Sequence, residues 1–150
     1  MNTPTIPSNS SFAITVLRAA LGALFLAHGL IKLLVYTPAG TAAFVDSVGM
    51  PTFLAAPTIG VEIVGGLLLL SGLFTRWAAL AVVPIVLGAT TVHWGNGFTF
   101  SNAGGGWQFT AFLAVVAFAL FLDGRDGAFA LGSVWSRRSE TAAPARRVVA

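Results

Sequence analysis

The sequence predicts an all-α, integral-membrane, antiparallel four-helix bundle with a short interfacial segment after the first helix. Three observations carry that prediction. Residues of the AVILMFWYC set make up 56% of the 150-residue chain, and only 9% of residues are charged. Soluble domains carry ~25% charge, so there is too little here to clothe a solvated surface. A soluble globular domain, a disordered chain and a nucleic-acid binder are all excluded. The apolar residues also fall into four long stretches separated by segments rich in Gly, Pro, Asn and Ser. At about 20 residues per crossing, the length allows four or five spans at most. Finally, the whole net charge of +3 sits C-terminal to Asp123, because Arg18, Lys32 and Arg76 balance Asp46, Glu62 and Asp123. A basic tail after an apolar body marks a cytoplasmic end facing anionic lipid. The chain has no cysteine, which excludes disulfides, Cys-ligated iron–sulfur clusters and thiol redox chemistry. Any redox role would use a borrowed cofactor.

Residues 1–11 (MNTPTIPSNSS) read as a short polar tail without the positive n-region or apolar core of a secretory signal, with Ser10 or Ser11 as N-cap of the first helix. The first span covers Phe12–Tyr36 and carries Arg18, His28 and Lys32; Thr37-Pro38 closes it. Residues 37–57 are punctuated by Pro38, Gly40, Gly49, Pro51 and Pro57. Within them AAFVDSVG is expected to form one or two interfacial turns, with Phe44, Val45 and Val48 toward lipid. The second span, Phe53–Phe74, has Glu62 as its only charge, and a tight turn at Thr75-Arg76 makes a hairpin with the third, Trp77–His93. Pro84 inside that span is tolerable in lipid when neighbours satisfy the freed carbonyl. Residues 94–106 form a Gly/Asn/Ser loop, Trp107–Leu122 the fourth span, and GRDGAFALGS a short amphipathic piece. The membrane domain is thus 12–132, and 133–150 is a basic tail expected to be disordered.

Four spans put both termini on one side. That side holds Arg76 and the five arginines after Asp123, whereas 37–57 and 94–106 hold no Lys or Arg. The positive-inside rule then places both termini in the cytoplasm of a multi-pass plasma-membrane (bacterial inner-membrane) protein.

Used as rulers from that inner boundary, the helices put Arg18 roughly 9 Å deep, Glu62 roughly 21 Å, Gln108 roughly 22 Å, and His28 and His93 roughly 24 Å. Polar groups from four helices therefore share one layer in the outer third of a ~30 Å hydrocarbon core. Charges at such depth face inward and find partners. Arg18, Gly22, Phe25, Gly29 and Lys32 form one stripe, and Glu62, Gly65, Leu69, Gly72 and Arg76 another. Their glycines permit close helix contact. Run antiparallel, the stripes bring Lys32 or His28 to Glu62 at the outer end, and Arg18 toward Arg76 and Asp123 at the inner end, where Arg18 can snorkel. Gln108 is expected to hydrogen-bond within the bundle or cap the fourth helix. Two histidines and a carboxylate suit a non-haem metal, but they come from three helices without ligand spacing, so no metal site is expected. The Gly run 104–106 follows no strand and precedes no Lys, so it is not a phosphate loop.

The patterns LRAALGALFLAHGLIKL, VGMPTFLAAPTIGVEIVGGLLLLSGLFTRWAAL, HWGNGF with GGGW, and GRDGAFALGS resemble the DoxX family of small four-helix membrane proteins, over about residues 16–132. Gln108 stands where that family often has Glu, and Ala130-Leu131-Gly132 where its closing motif often ends Ser-Leu-Asp. The resemblance implies a membrane subunit or partner of an oxidoreductase, with a quinone or other small amphipathic molecule held against His28, Lys32, Glu62, His93 and Gln108. Arg18, Arg76 and Asp123 would be structural charges. A second reading is a non-enzymatic scaffold, chaperone or small-solute permease whose polar layer is a folding device or a pathway. No soluble-cofactor fingerprint supports hydride chemistry by this chain alone. Exposed Phe and Leu serve lipid and a second copy equally, which leaves homo-oligomers open. The topology is checked by cysteine accessibility in intact cells. Ser47→Cys and Asn102→Cys should label from outside, and Ser139→Cys only from inside; external labelling at position 139 would invert the orientation.

Overall fold

The structure is a computed structural model and describes residues 8–132. The expected polar tail (as far as residue 7) and the basic tail at 133–150 lie outside the described residues.

Five helices follow in order: α1 (Asn9–Leu34), α2 (Thr37–Ser47), α3 (Ala55–Ser71), α4 (Thr75–His93) and α5 (Gln108–Asp123). Short 3₁₀ turns at Thr52–Leu54 and Trp94–Asn96 precede α3 and follow α4. The segments Asn9–Leu34, Thr52–Ser71 and Thr75–Asn96 are long and apolar enough to cross a membrane, and α5 is a shorter apolar helix of 16 residues. α1, α3, α4 and α5 form the bundle. α1 packs most extensively on α3 and α4 on α5, while α3 also meets α4 and α1 touches α5 lightly.

The core of this bundle is built largely from small residues. Ala78, Ala79, Val82, Ala114 and Ala117 are buried around Leu21, Phe25, Leu69 and Leu120. Lipid supplies no hydrophobic drive for helices to associate, so packing at short range must do so, and small side chains permit it. Larger apolar residues point outward: Leu34, Val16, Val115 and Leu122 are each more than 60% exposed. That surface suits lipid and not water.

The closest approach is between α1 and α3. A Cβ on Gly66 would lie 2.6 Å from the Leu26 nitrogen and 2.9 Å from the Gly22 oxygen; one on Gly22 would lie 2.8 Å from the Gly66 oxygen. All are backbone atoms and cannot swing aside. Farther along, Gly29 abuts Glu62 and Ile63, and Gly72 abuts Arg18. The two faces therefore run antiparallel, as the stripes predict, but the α3 glycine at the seam is Gly66; Gly65, which the stripe includes, turns to α4, where a Cβ would lie 3.0 Å from Val82 Cγ1.

Several local expectations are corrected. Ser8, not Ser10 or Ser11, caps α1, its hydroxyl accepting from the Ser11 amide. The expected one or two turns after the first span are a full 11-residue helix, α2, begun by Pro38 and by Thr37, whose hydroxyl accepts from the Gly40 amide. α2 buries only Thr41 and lies across α1 and α3. The hairpin turn falls at Gly72–Phe74, ahead of Thr75-Arg76. Gly72 adopts φ +68°, and the Leu73 amide donates back to the Leu68 carbonyl at 3.1 Å, the hydrogen bond of a glycine-terminated helix.

The GRDGAFALG segment is not an amphipathic helix over 124–130. There it is an irregular strap, with left-handed residues at Gly124, Gly127 and Phe129, that crosses the end of the bundle at which α1 begins. Its Ala128 amide donates to the Ser11 carbonyl at 3.1 Å, Thr15 donates to the Ala128 carbonyl at 2.7 Å, and Asp126 accepts from the Thr75 amide at 3.2 Å. Its own Ala128 and Ala130 are buried against the bundle.

Replacing Gly66 by Ala should lower thermal stability in detergent by about 1–3 kcal/mol, the cost of overpacking a close contact. Gly60→Ala, where a Cβ meets nothing within 4 Å, should leave it unchanged. Equal melting curves for both variants would contradict the seam.

Candidate functional site

α1 and α3 meet at two polar points, one at each end of the glycine seam. At the end nearer the start of α1, Arg18 is 2% exposed, so it does not snorkel. Its Nη1 donates at 2.8 Å to both the Leu69 and Leu70 carbonyls, and its Nη2 donates to Ala128 at 3.2 Å. The first two belong to the last turn of α3, where the ordinary intrahelical bonds run out and only the Gly72 amide reaches Leu69, at 3.4 Å; the third belongs to the segment after α5. The expected grouping of Arg18 with Arg76 and Asp123 does not form. Asp123 instead takes Arg125, with Nη2 to Oδ2 at 2.6 Å and Nε to Oδ1 at 2.8 Å, because a neighbour two residues away reaches it first. The Arg76 guanidinium lies over the Phe121 ring at 5.0 Å and near Trp77 at 5.8 Å, a cation–π arrangement.

At the other end the Lys32 ammonium pairs with Glu62 Oε1. Lys32 is reached, rather than His28, because it projects one turn beyond Gly29, which itself abuts the Glu62 Cβ. Glu62 is 3% exposed, and its second oxygen, Oε2, is buried without a hydrogen-bond partner among the described residues. A buried polar atom normally has a partner, so an exception asks for one.

Glu62 also lines a cavity of about 410 Å³ between α1, α3, α4 and α5. His28, Lys32, Glu62 and His93 all line it, together with Phe25, Phe44, Phe100, Phe109 and Thr110. Four of the five residues expected in the polar layer therefore share one chamber. The fifth, Gln108, does not. It lines a neighbouring pocket with Phe100, Phe109 and Phe112, the first two shared with the chamber, and its backbone amide, not its side chain, ties it to the Phe98 carbonyl at 3.1 Å. The N-cap position of α5 is Trp107. Depth along a helix sets height but not azimuth, and Gln108 lies about 200° around α5 from Thr110.

Both imidazoles are held by their own backbone. His28 Nδ1 lies 2.9 Å from the Leu24 carbonyl and His93 Nδ1 lies 3.0 Å from the Gly104 carbonyl. A carbonyl only accepts, so each Nδ1 carries the proton, and in the neutral ring Nε2 is left as an acceptor. The loop carrying Gly104 is fixed by Asn96, which donates to Gly104 and Gly105 at 3.0 Å, and by the stacked rings of Trp94 and Trp107 at 4.9 Å. Thr110 donates to the Trp107 carbonyl at 3.0 Å and stands 3.0 Å from the Thr90 hydroxyl. Among the described residues no three of His, Asp and Glu converge as metal ligands.

Phe44, Phe100, Phe109 and Thr110 escaped the sequence reading. Phe44, expected against lipid, is 56% exposed and also lines the cavity. A second cavity of about 390 Å³, lined by Lys32, Tyr36, Gly40, Thr41 and Phe44, adjoins the first through Lys32 and Phe44.

The segment that builds the seam and three walls of this chamber, residues 13–94, matches the DoxX family model. The chain belongs to the DoxX family. A Bacillus subtilis (strain 168) protein named "Putative oxidoreductase CatD" is 36% identical over 83 residues, which are 54% of this chain and 60% of that protein. The matched part thus spans about three fifths of the curated relative's length. No solved structure matches the chain. The DoxX match covers α1 through α4 and includes Arg18, His28, Lys32, Glu62 and His93; α5 and the strap over Arg18 lie beyond it.

Proposed function

We propose that this DoxX-family protein is the membrane-embedded subunit or partner of an oxidoreductase, and that its outer chamber holds a quinone or another small aromatic redox molecule. The observation that carries the proposal is Glu62, whose Oε2 is buried without a hydrogen-bond partner among the described residues, lining a cavity together with His28 and His93. A volume of about 410 Å³ lies within the ~300–1,000 Å³ of small-molecule sites, which are mostly apolar with a few placed polar groups. Phe25, Phe44, Phe100 and Phe109 supply ring faces for an aromatic headgroup. The adjoining cavity beneath α2 offers a lipophilic tail a way out past Lys32 and Phe44. The relative's name agrees with redox work, and electrons would come from a partner protein. On this reading the protein sits in the plasma membrane with both termini cytoplasmic, so the chamber opens near the outer leaflet.

The alternative, a scaffold, chaperone or permease with a purely structural polar layer, accounts for the Lys32–Glu62 pair. It leaves the free carboxylate oxygen and the two oriented histidines without a task. The test is organic extraction of protein purified in mild detergent, followed by chromatography of the extract. About one aromatic redox molecule per chain is expected from the wild type, and a clear reduction from His93→Leu. An extract no richer than that of an unrelated membrane protein prepared in parallel would contradict the proposal.

A further inference from the structure

The chamber's hydrogen-bonding groups are unevenly divided between donors and acceptors. Glu62 Oε2 has no partner and, as a carboxylate oxygen, only accepts. The Nε2 atoms of His28 and His93 are acceptors in the neutral rings, because each Nδ1 proton is committed to a backbone carbonyl. The Thr110 hydroxyl donates to the Trp107 carbonyl and its oxygen accepts from Thr90 at 3.0 Å, which leaves it one further lone pair and no proton to give. Lys32 is the one donor among these residues, and it is engaged with Glu62 Oε1 on the side shared with the neighbouring cavity.

The two oxidation states of a quinone differ in this respect. The oxidised dione has two carbonyl acceptors and no donor. The reduced dihydroxy form has two O–H donors. A dione in this chamber would satisfy one oxygen with Lys32 and turn the other toward lone pairs. A hydroquinone gives one proton to Glu62 Oε2 and the other to a histidine Nε2 or to Thr110. A cation would meet the Lys32 ammonium in a low-dielectric site, which disfavours amines as the donor. Sites whose buried groups await a ligand O–H discriminate strongly against analogues lacking it, since the site's own atoms are then left unpaired.

We infer that the chamber selects the reduced, dihydroxy form of its aromatic ligand over the dione, through Glu62 Oε2 and the two histidine Nε2 atoms. This rests on the reading of the chamber as a quinone-type site. It adds a preferred oxidation state, and with it a direction. Tighter binding of the reduced form raises the reduction potential of the bound couple. A tenfold preference corresponds to about 30 mV for a two-electron couple.

The test uses the full chain in lipid nanodiscs at pH 8 without oxygen, with empty nanodiscs as the partition control. Tryptophan quenching and calorimetry follow three probes: trimethylhydroquinone, trimethylbenzoquinone, and the hydroquinone with both hydroxyls methylated. The hydroquinone should bind at least tenfold more tightly than either the dione or the ether. In Glu62→Gln, where an amide can present a donor in place of Oε2, and in His93→Phe, the preference should shrink by severalfold. Either variant suffices if the other fails to fold. Equal or tighter binding of the dione would overturn the inferred preference while leaving a quinone-type site in place. Binding of the hydroquinone and its dimethyl ether with equal affinity would overturn it as well, since the ether has no donor. Specific binding of none of the three would overturn both this inference and the proposed function.

Discussion

The structure depends on how one helix carries an arginine and a lysine through an apolar environment. A charge left unpaired within hydrocarbon is unfavourable by about 2.5–3.5 kcal/mol or more. α1 carries two, Arg18 and Lys32, about 21 Å apart along its axis at 1.5 Å per residue. Both are answered by α3: Arg18 by the carbonyls of its last turn, Lys32 by Glu62. Neither contact is within reach unless the two backbones come very close between them. Gly22, Gly29 and Gly66 are what permit this. Polar ends and glycine middle therefore act as one device, since each end fixes the register that the glycines make possible.

The chamber follows from the same seam. Glu62 can offer only one oxygen to Lys32, because Lys32 approaches from the α1 side beyond Gly29. The other oxygen is buried without a hydrogen-bond partner among the described residues. Beside Glu62, residues of α4 such as Ile85, Val86 and Ala89 line a space instead of a packed core. α2 roofs this space from the side and contributes Phe44. The loop before α5 orients His93 through the Gly104 carbonyl. The same carboxylate thus serves the fold with one oxygen and is available to a ligand with the other. A structural and a functional role do not compete here.

The sequence carries much of this and hides a definable remainder. The span order, the antiparallel hairpins and the two glycine stripes are legible because helical periodicity and a fixed rise per residue convert spacing into faces and depths. The Lys32–Glu62 pair was within reach for that reason, although depth alone kept His28 as an equal candidate. Gln108 was misplaced because depth says nothing of rotation, and α5 is too uniformly apolar for a stripe to fix its azimuth. Arg18's partners are backbone carbonyls, which have no residue signature. One of them lies in the 124–132 strap, whose path depends on left-handed turns at Gly124 and Gly127. α2 is a helix held by Thr37, Pro38 and its packing across α1 and α3, not by an apolar face, so its length and the place of Phe44 at the cavity could not be read from periodicity.

The central claim is that Lys32 and Glu62 act as one unit joining α1 to α3. A double-mutant cycle with Lys32→Met and Glu62→Gln, followed by thermal unfolding in nanodiscs, measures it most directly. The account predicts that each single change destabilises the protein and that the double variant is less destabilised than their sum, with a coupling of about 0.5–3 kcal/mol. Additive effects, within about 0.3–0.5 kcal/mol, would show that the two residues are not coupled and would contradict the account.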